Sequence, residues 1–319
     1  MGTVTKTVLI IATALILLGF VVFAIALALT DGDFTKLGIA KYVTNTHEIN
    51  EDFNSISINS DTADIVFLPA EDGKCKVVCY EIENLQSAVC VDNDTLKLTV
   101  EDTRKWYERI SLMGSSKTTI YLPKEQYLAL TVEQSTGDVE ISKGFLFESI
   151  DISVSTGDVK CYALAQSTLK IKTSTGDALL QGVSATSVDI SVGTGSVNMS
   201  DISCVEGTTI NVSTGKAQIT NAQLGSLSTS GTTGDIDLNN VIVNGKMYIK
   251  RNTGDVKLDS CDAKEIEIET STGDVDVTLL TIKQFSVTTS TGKVKIPQES
   301  YGDKCKITTS TGDITVAIK

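Results

Sequence analysis

The 319-residue sequence has few of the side chains on which most enzyme sites depend. It contains one histidine, one tryptophan and three prolines, and its seven cysteines include no Cys-x-x-Cys pair. The composition therefore disfavours a histidine-based acid–base centre and a zinc site with the usual cysteine spacing. The histidine, His47, lies outside the repeats described below, and we predict that it is a solvated linker residue.

Positive charge is also scarce. The chain has 27 Lys and Arg against 40 Asp and Glu, a net charge of −13. Because nucleic acids and anionic lipid surfaces attract basic surfaces, this balance disfavours both as direct partners. Cationic peptides and wall components remain compatible with it, and the simplest interpretation is an acidic surface that keeps a β-rich protein soluble.

What the sequence has in abundance is a Thr-Gly repeat with a period of 19 or 20 residues. Its glycines are Gly137, Gly157, Gly176, Gly195, Gly215, Gly234, Gly254, Gly273, Gly292 and Gly312. A unit this short cannot enclose a core, so each unit must bury its apolar face against its neighbours. We call each unit a rung, and we assign these glycines a structural role in its turn.

Apolar residues alternate on both sides of each glycine, as Val132, Val139 and Ile141 do around Gly137. Alternation predicts a strand on either side, and glycine supplies the positive φ of a tight turn between them. The fold class is therefore all-β, a β-helix-like solenoid of about ten rungs. A hairpin array has the same parity, but hairpins this regular more often use Asn-Gly or Asp-Gly.

Aspartate follows the repeat glycine in seven rungs: Asp138, Asp158, Asp177, Asp235, Asp255, Asp274 and Asp313. A bound-metal column is one interpretation. We favour turn capping by solvated carboxylates, because calcium needs converging oxygen ligands and the nonapeptide pattern of calcium-binding β-rolls is missing. No catalytic residue, cofactor or metal ligand is predicted.

An uncharged apolar run occupies residues 8–29, long enough to cross a bilayer at about 1.5 Å per residue. Lys6 precedes it, and Asp31 and Asp33 follow it. The positive-inside tendency then predicts a single-pass cell-membrane protein with residues 1–7 in the cytoplasm and the repeats outside. A cleaved signal peptide is the alternative, since small residues near the end of the run resemble a cleavage site.

Between the anchor and the repeats we predict a tether at residues 30–50 and a divergent β cap at 51–129. The cap includes a degenerate rung in which Ala63 replaces glycine. Residues 130–319 form the regular solenoid. No closing segment is visible after it, so residues 316–319 would leave an open edge for end-to-end contact.

Three cysteines replace aliphatic residues at inward positions: Cys161, Cys261 and Cys305. We expect them to pack as small buried side chains. Cys90 could pair with Cys75 or Cys79 in the cap, but those two cannot pair with each other along one extended strand.

Residues 118–141 read TTIYLPKEQYLALTVEQSTGDVEI, an extended Leu-Pro segment that leads into the first Ser-Thr-Gly-Asp-Val rung. This resembles the bacterial putative-adhesin family of β-strand-repeat proteins, a domain of unknown function, and the resemblance covers about residues 51–319. It implies a surface-exposed or membrane-tethered β-solenoid, linked in some members to adhesion or envelope stress, with no catalytic residues to carry over.

These observations favour a non-enzymatic, membrane-anchored extracytoplasmic scaffold or adhesin-like protein that binds an envelope or surface protein, a peptide or a glycan. An envelope-stress sensor or regulator with a membrane partner is the alternative, and a polysaccharide-active enzyme is a third. Thr229, Gly231 and Arg251 break the pattern at inward positions, and we expect local irregularity there more readily than function.

Overall fold

The computed structural model describes residues 2–29, 41–100 and 115–319, with one helix followed by 24 strands in one continuous sheet. The helix α1 is Thr3–Leu29, and the cap strands are β1 Tyr42–Ile49, β2 Ser55–Thr62, β3 Asp64–Pro69, β4 Cys75–Ile82, β5 Ala88–Asp92, β6 Thr95–Thr99 and β7 Lys117–Leu122. The remaining strands are β8 Gln126–Thr136, β9 Val139–Ile141, β10 Leu146–Thr156, β11 Val159–Cys161, β12 Leu164–Thr175, β13 Ala178–Gln181, β14 Ser184–Thr194, β15 Val197–Thr214, β16 Ala217–Leu224, β17 Leu227–Thr233, β18 Ile236–Thr253, β19 Val256–Thr272, β20 Val275–Leu279, β21 Gln284–Thr291, β22 Val294–Lys295, β23 Lys304–Thr311 and β24 Ile314–Ile318.

The helix α1 carries apolar side chains on all sides of residues 8–29, and most of them are exposed. Its most hydrophobic 18-residue window has a mean hydropathy of 3.1 and is not buried at all. Ile10 and Phe20 are each 68% exposed. A helix that is hydrophobic all round needs an apolar surrounding, and this one has the length and composition to cross a bilayer.

Corresponding strands of neighbouring rungs pair in parallel and in register. Ile152 of β10, for example, lies between Val132 of β8 and Ile171 of β12. The strands that flank one Thr-Gly therefore pair with other rungs and not with each other, which confirms the β-solenoid and excludes the hairpin array. Identical inward positions stack into continuous apolar columns that form the core.

Each regular rung has three strand segments rather than two. In the rung of Gly195, the inward side chains are Val197, Met199, Ile202, Cys204, Thr208, Ile210 and Val212, all buried. The alternation changes phase at Asp201, whose φ is 57°, and it is interrupted at residues 205–207, which are not buried. A rung thus turns at the glycine, at a second corner six residues later, and at a third, looser bend.

The rungs do not stack in sequence order at the carboxyl-terminal end. Strand β23 pairs with β19 on one side and with β21 on the other, so the rung of Gly312 lies between those of Gly273 and Gly292. Residues 316–319, which were predicted to leave an open edge, therefore do not lie at the end of the stack. Those residues keep one free edge, because β22 covers only the start of β24, but the outermost rung is that of Gly292.

The cap closes the opposite end of the core. Strands β2 and β3 form the rung of Ala63 and pair in parallel with β8 and β9. Beyond them lie β6 and β7, and then β5, β4 and β1 continue the sheet with antiparallel pairing. Stacked rings of Phe53, Tyr127 and Phe147, with centroids 5.8 and 5.7 Å apart, fill the interior there.

The prediction of a tether at residues 30–50 is wrong over its second half, because Tyr42–Ile49 is the strand β1. Residues 30–40 lie outside the described residues, and so does Trp106. The pattern of β1 is weak since its inner face carries Asn45 and His47 among its apolar residues. Pairing with β4 along its whole length, and a 2.8 Å hydrogen bond from Asn45 Nδ2 to Glu81 Oε1, hold it in place. His47 is not a solvated linker residue, for its Nε2 atom is buried.

Candidate functional site

The repeat glycines form one corner column along the solenoid. Their φ angles lie between 117° and 152°. A Cβ atom on Gly176 would stand 2.0 Å from the carbonyl oxygen of Gly157 in the preceding rung. The Gly157 N–H donates to the Thr175 carbonyl at 2.9 Å, and the same bond recurs along the array. The corner is thus dictated by backbone conformation and by backbone stacking, and it leaves no room for a ligand.

The aspartates after these glycines form a second column that binds backbone. Asp138 Oδ1 accepts the N–H of Asp158 at 2.8 Å, and Asp158 Oδ1 accepts the N–H of Asp177 at 2.8 Å. Lys216 interrupts the column, and Lys293, whose N–H donates to Asp313 Oδ1 at 2.7 Å, ends it. Each carboxylate in the ladder is therefore held by a charge-assisted hydrogen bond, and no group of three metal-ligating side chains converges within the described ranges.

The second corner of each rung is not among the features predicted from the sequence. Its residues all have positive φ and lie six residues after a repeat glycine: Gly182, Asp201, Asn221, Asn240 and Ser260. Asn221 Nδ2 donates to Asp201 Oδ1 at 3.2 Å, and Asn240 Nδ2 donates to Asn221 Oδ1 at 3.0 Å. The signal was in the sequence, because Gly, Asn and Asp are the types that best tolerate left-handed backbone.

The irregular inward residues make one interior feature. Arg251 is buried, and its Nη1 reaches past Gly231 to the Val212 carbonyl, two rungs away, at 2.6 Å. A Cβ on Gly231 would lie 1.6 Å from that nitrogen, so the glycine makes the path for the guanidinium. Burial lowers the pKa of Arg251, and Asp235 opposes that effect. Thr229 is fully buried beside this path, so the feature has no access from the surface.

All seven cysteines are free, and six of them are buried. Burial raises the pKa of Cys161 and Cys305 to about 12 and that of Cys261 to about 11. These thiols stay protonated near neutral pH and pack as small apolar groups, because only the thiolate is a nucleophile or metal ligand. The disulfide considered for Cys90 is not formed, and Cys90 is the exposed member of the set.

One open cleft lies where the cap meets the regular rungs, and a second lies within the cap. The first, of about 360 Å³, is lined by Asn54, Gln126, Tyr127, Leu128, Leu146, Glu148 and Gln166. The second, of about 520 Å³, is lined by Leu68, Pro69, Ala70, Glu71, Asp72, Lys76 and Tyr121. The first cleft joins three side-chain amides to leucines, of which Leu128 is 51% exposed. This mixture suits an uncharged polar ligand or a peptide.

The two clefts differ in their carboxylates. The first holds a single carboxylate, Glu148, whereas glycoside hydrolysis uses a pair. The second holds Glu71 and Asp72, but the backbone N–H of Lys74 lowers the pKa of Asp72. A general acid needs the opposite shift.

A family model described as Toastrack DUF4097 matches residues 53–241 and 205–319, from the first rung to the last strand. The chain belongs to this family. The resemblance to bacterial putative adhesins is thereby confirmed, and the Toastrack match leaves out helix α1. A comparison with curated proteins returns no match.

Several solved structures are similar to this Toastrack chain. A putative adhesin of Bacteroides fragilis is 17% identical, with a TM-score of 0.44, and the alignment covers 86% of this chain and 97% of the other. A putative adhesin of Parabacteroides merdae is 13% identical, with a TM-score of 0.40 and coverages of 86% and 97%. A putative lipid-binding protein of Parabacteroides distasonis is 14% identical, with a TM-score of 0.35 and coverages of 88% and 96%.

Proposed function

We propose that this protein is a non-enzymatic, adhesin-like scaffold that is anchored in the cell membrane by α1 and displays the solenoid outside the cell. The proposal for the anchor rests on the exposed apolar surface of α1. At about 25 cal/mol per Å² of apolar surface, a helix of this kind is stable only in a bilayer or against another protein. The charge asymmetry around the helix supports the orientation.

The binding function is carried by the first cleft. Its amides Asn54, Gln126 and Gln166 offer paired donors and acceptors, and Leu128 and Leu146 offer apolar contact. Such a surface can bind the hydroxyl groups of a glycan or the backbone of an extended peptide. It carries no basic residue, so a phosphate-rich ligand is a poor fit. We therefore propose a glycan or peptide of the envelope, or of another cell's surface, as the ligand.

Cys90 offers a direct test of orientation, because it is the exposed cysteine of the chain. Intact cells that produce the full chain are treated with a membrane-impermeant maleimide. We expect labelling without cell lysis, and no labelling of the Cys90→Ser variant, in which the six buried thiols remain. Labelling that requires lysis would contradict the extracytoplasmic orientation. Fractionation of the same cells checks the anchor, since a cleaved signal peptide would release the labelled chain from the membrane.

The binding function is tested with the full chain in detergent or nanodiscs on arrays of envelope glycans and peptides. Leu128→Glu and Gln166→Ala should weaken the strongest signal by about tenfold, since each removes contact area or hydrogen bonds worth roughly 1–2 kcal/mol. Lys170→Ala, on the exposed face of β12, is the matched control. Signals that depend on Lys170 and not on the cleft would contradict the assignment. Cross-linking in cells that recovers a signalling membrane protein alone would favour the regulator.

A further inference from the structure

The outermost rung, that of Gly292, leaves part of the core uncovered. Val294 and Ile296 of this rung are 45% and 40% exposed, whereas the equivalent Ile314 and Val316 of the neighbouring rung are 0% and 4% exposed. Phe285, in β21, is likewise only half-buried. At the opposite end, antiparallel strands cover the same columns. One end of the solenoid is therefore closed by the cap, and the other presents apolar side chains.

The outer edge of β21 is also open for backbone pairing. Gln284 N–H donates to the Asp303 carbonyl at 2.7 Å, so the even-numbered residues pair with β23. The alternation of backbone groups along a strand then directs the N–H and C=O groups of Phe285, Val287 and Thr289 outward. Ser300 Oγ accepts the Phe285 N–H at 2.9 Å. No described strand pairs with the rest of this edge.

The two strands of this rung differ in how their edges are protected. β22 has two residues, one of which is Lys295; Lys293 precedes it, and Pro297 lies two residues beyond it. Lysines, prolines and short length are the features by which native edge strands avoid pairing. β21, with the sequence QFSVTTST, has eight residues and neither a charge nor a proline. Strand addition is therefore opposed on one side of the rung and unopposed on the other.

We propose that a second copy of this chain covers this end, with β21 of each copy pairing in antiparallel fashion across a twofold axis. The distribution of charge around β21 supports a second copy of this chain as the partner that covers this end. Lys293 and Lys295 follow one end of β21, while the exposed Glu299 lies near its other end. A twofold axis through the middle of β21 brings the two lysines of one copy to Glu299 of its partner, on both sides of the contact.

The test is disulfide or short bis-maleimide cross-linking of the full chain in native membranes, in a Cys90→Ser background. Cysteine is placed singly at Ser286, Thr288 and Ser290, whose exposed side chains follow β21, and at Lys170 on the same face as a control. We expect a dimer of twice the 34.0 kDa chain mass that peaks at one of the β21 positions. No dimer from any of the three, or equal yield from the control, would overturn the proposal.

Two further variants separate strand pairing from chance proximity. Val287→Pro removes an outward N–H and leaves the bonds to β23 in place, so it should abolish the cross-link while circular dichroism stays unchanged. The double variant Lys293→Glu/Lys295→Glu should lower the dimer yield about fivefold or more, because it brings like charges together, and adding Glu299→Lys should restore part of it. A cross-link that survives both variants, or a product that joins β21 to a different protein, would overturn the homodimer.

Discussion

The solenoid turns at two stacked corners that solve the same problem under different constraints. At the repeat-glycine corner, backbone passes so close to backbone that a Cβ on Gly176 would clash with Gly157. At the second corner, Gly182 also has positive φ, yet a Cβ there would meet nothing within 4 Å. The first column is therefore glycine in all ten regular rungs, with Ala63 only in the degenerate rung of the cap, while the second accepts Gly, Asp, Asn and Ser. Conformation alone limits a position to a few residue types, and close packing reduces them to one.

The largest expected effect comes from Gly176→Ala. The new methyl group combines a steric clash with a φ of 140° that L-residues rarely adopt, and we expect a loss of about 3 kcal/mol or more in the free energy of unfolding. Gly182→Asn, in the same rung, is the matched control and should change it by less than about 0.5 kcal/mol. Denaturant unfolding of the full chain in detergent, followed by circular dichroism, measures both. Equal losses would remove the distinction between the two corners.

The second corner is tested by Asn240→Ala. Alanine keeps the Cβ but loses both the left-handed preference and the 3.0 Å bond to Asn221, so a loss of about 1 kcal/mol is expected. Asn240→Gly should be close to neutral, because glycine adopts the same φ freely. If alanine proves neutral in the same unfolding assay, the side-chain ladder contributes nothing there.

The aspartate column should matter less than the repeat-glycine corner. Asp158→Ala removes the acceptor for the N–H of Asp177, an exposed group that water can also satisfy, so the loss should be about 0.5–1 kcal/mol. Asp158→Asn keeps an oxygen acceptor and should recover most of it. Added calcium should leave the melting temperature of the native chain unchanged; a clear rise would instead support a bound-metal column.

The smallest effect is expected away from both corners, at Glu267. Hydrogen bonds from Lys246 and Lys306 lower the pKa of Glu267 below its ordinary 4.5. Its contribution is therefore present above pH 4.5 and is lost as the pH falls through the lower pKa of the folded state. Glu267→Gln should cost less than about 1 kcal/mol at pH 7 and make the unfolding free energy less dependent on pH below 4.5. An unchanged pH dependence would contradict the assignment.

Much of the candidate site could not be read from the sequence. The first cleft combines Asn54 with Gln126 and Gln166, which come from three different strands or their flanks. Their proximity depends on β2 pairing with β8, across an interval that includes most of the cap. Arg251 and Gly231 each break the apolar pattern of their strand, so the sequence marks both positions as irregular. It does not show that the Arg251 side chain extends past Gly231 across two rungs. Contacts of this kind depend on which rungs stack next to each other. A periodic sequence does not specify that order, because its rungs are nearly alike.

The sequence by itself determined which side chains face the core, the turn of each rung at its repeat glycine and the apolar character of residues 8–29, because alternation, glycine φ and hydropathy are local properties. Only the tertiary structure decided the order of the last two rungs. Every rung presents nearly the same strands for pairing, so the repeat alone does not specify which rungs become neighbours. In the observed order, Lys306 of β23 lies 2.9 Å from Glu267 of β19, a pairing that β21, with Ser286 at that register, cannot make. This ion pair between near-identical rungs favours the observed order, and that order leaves β21 at the open end.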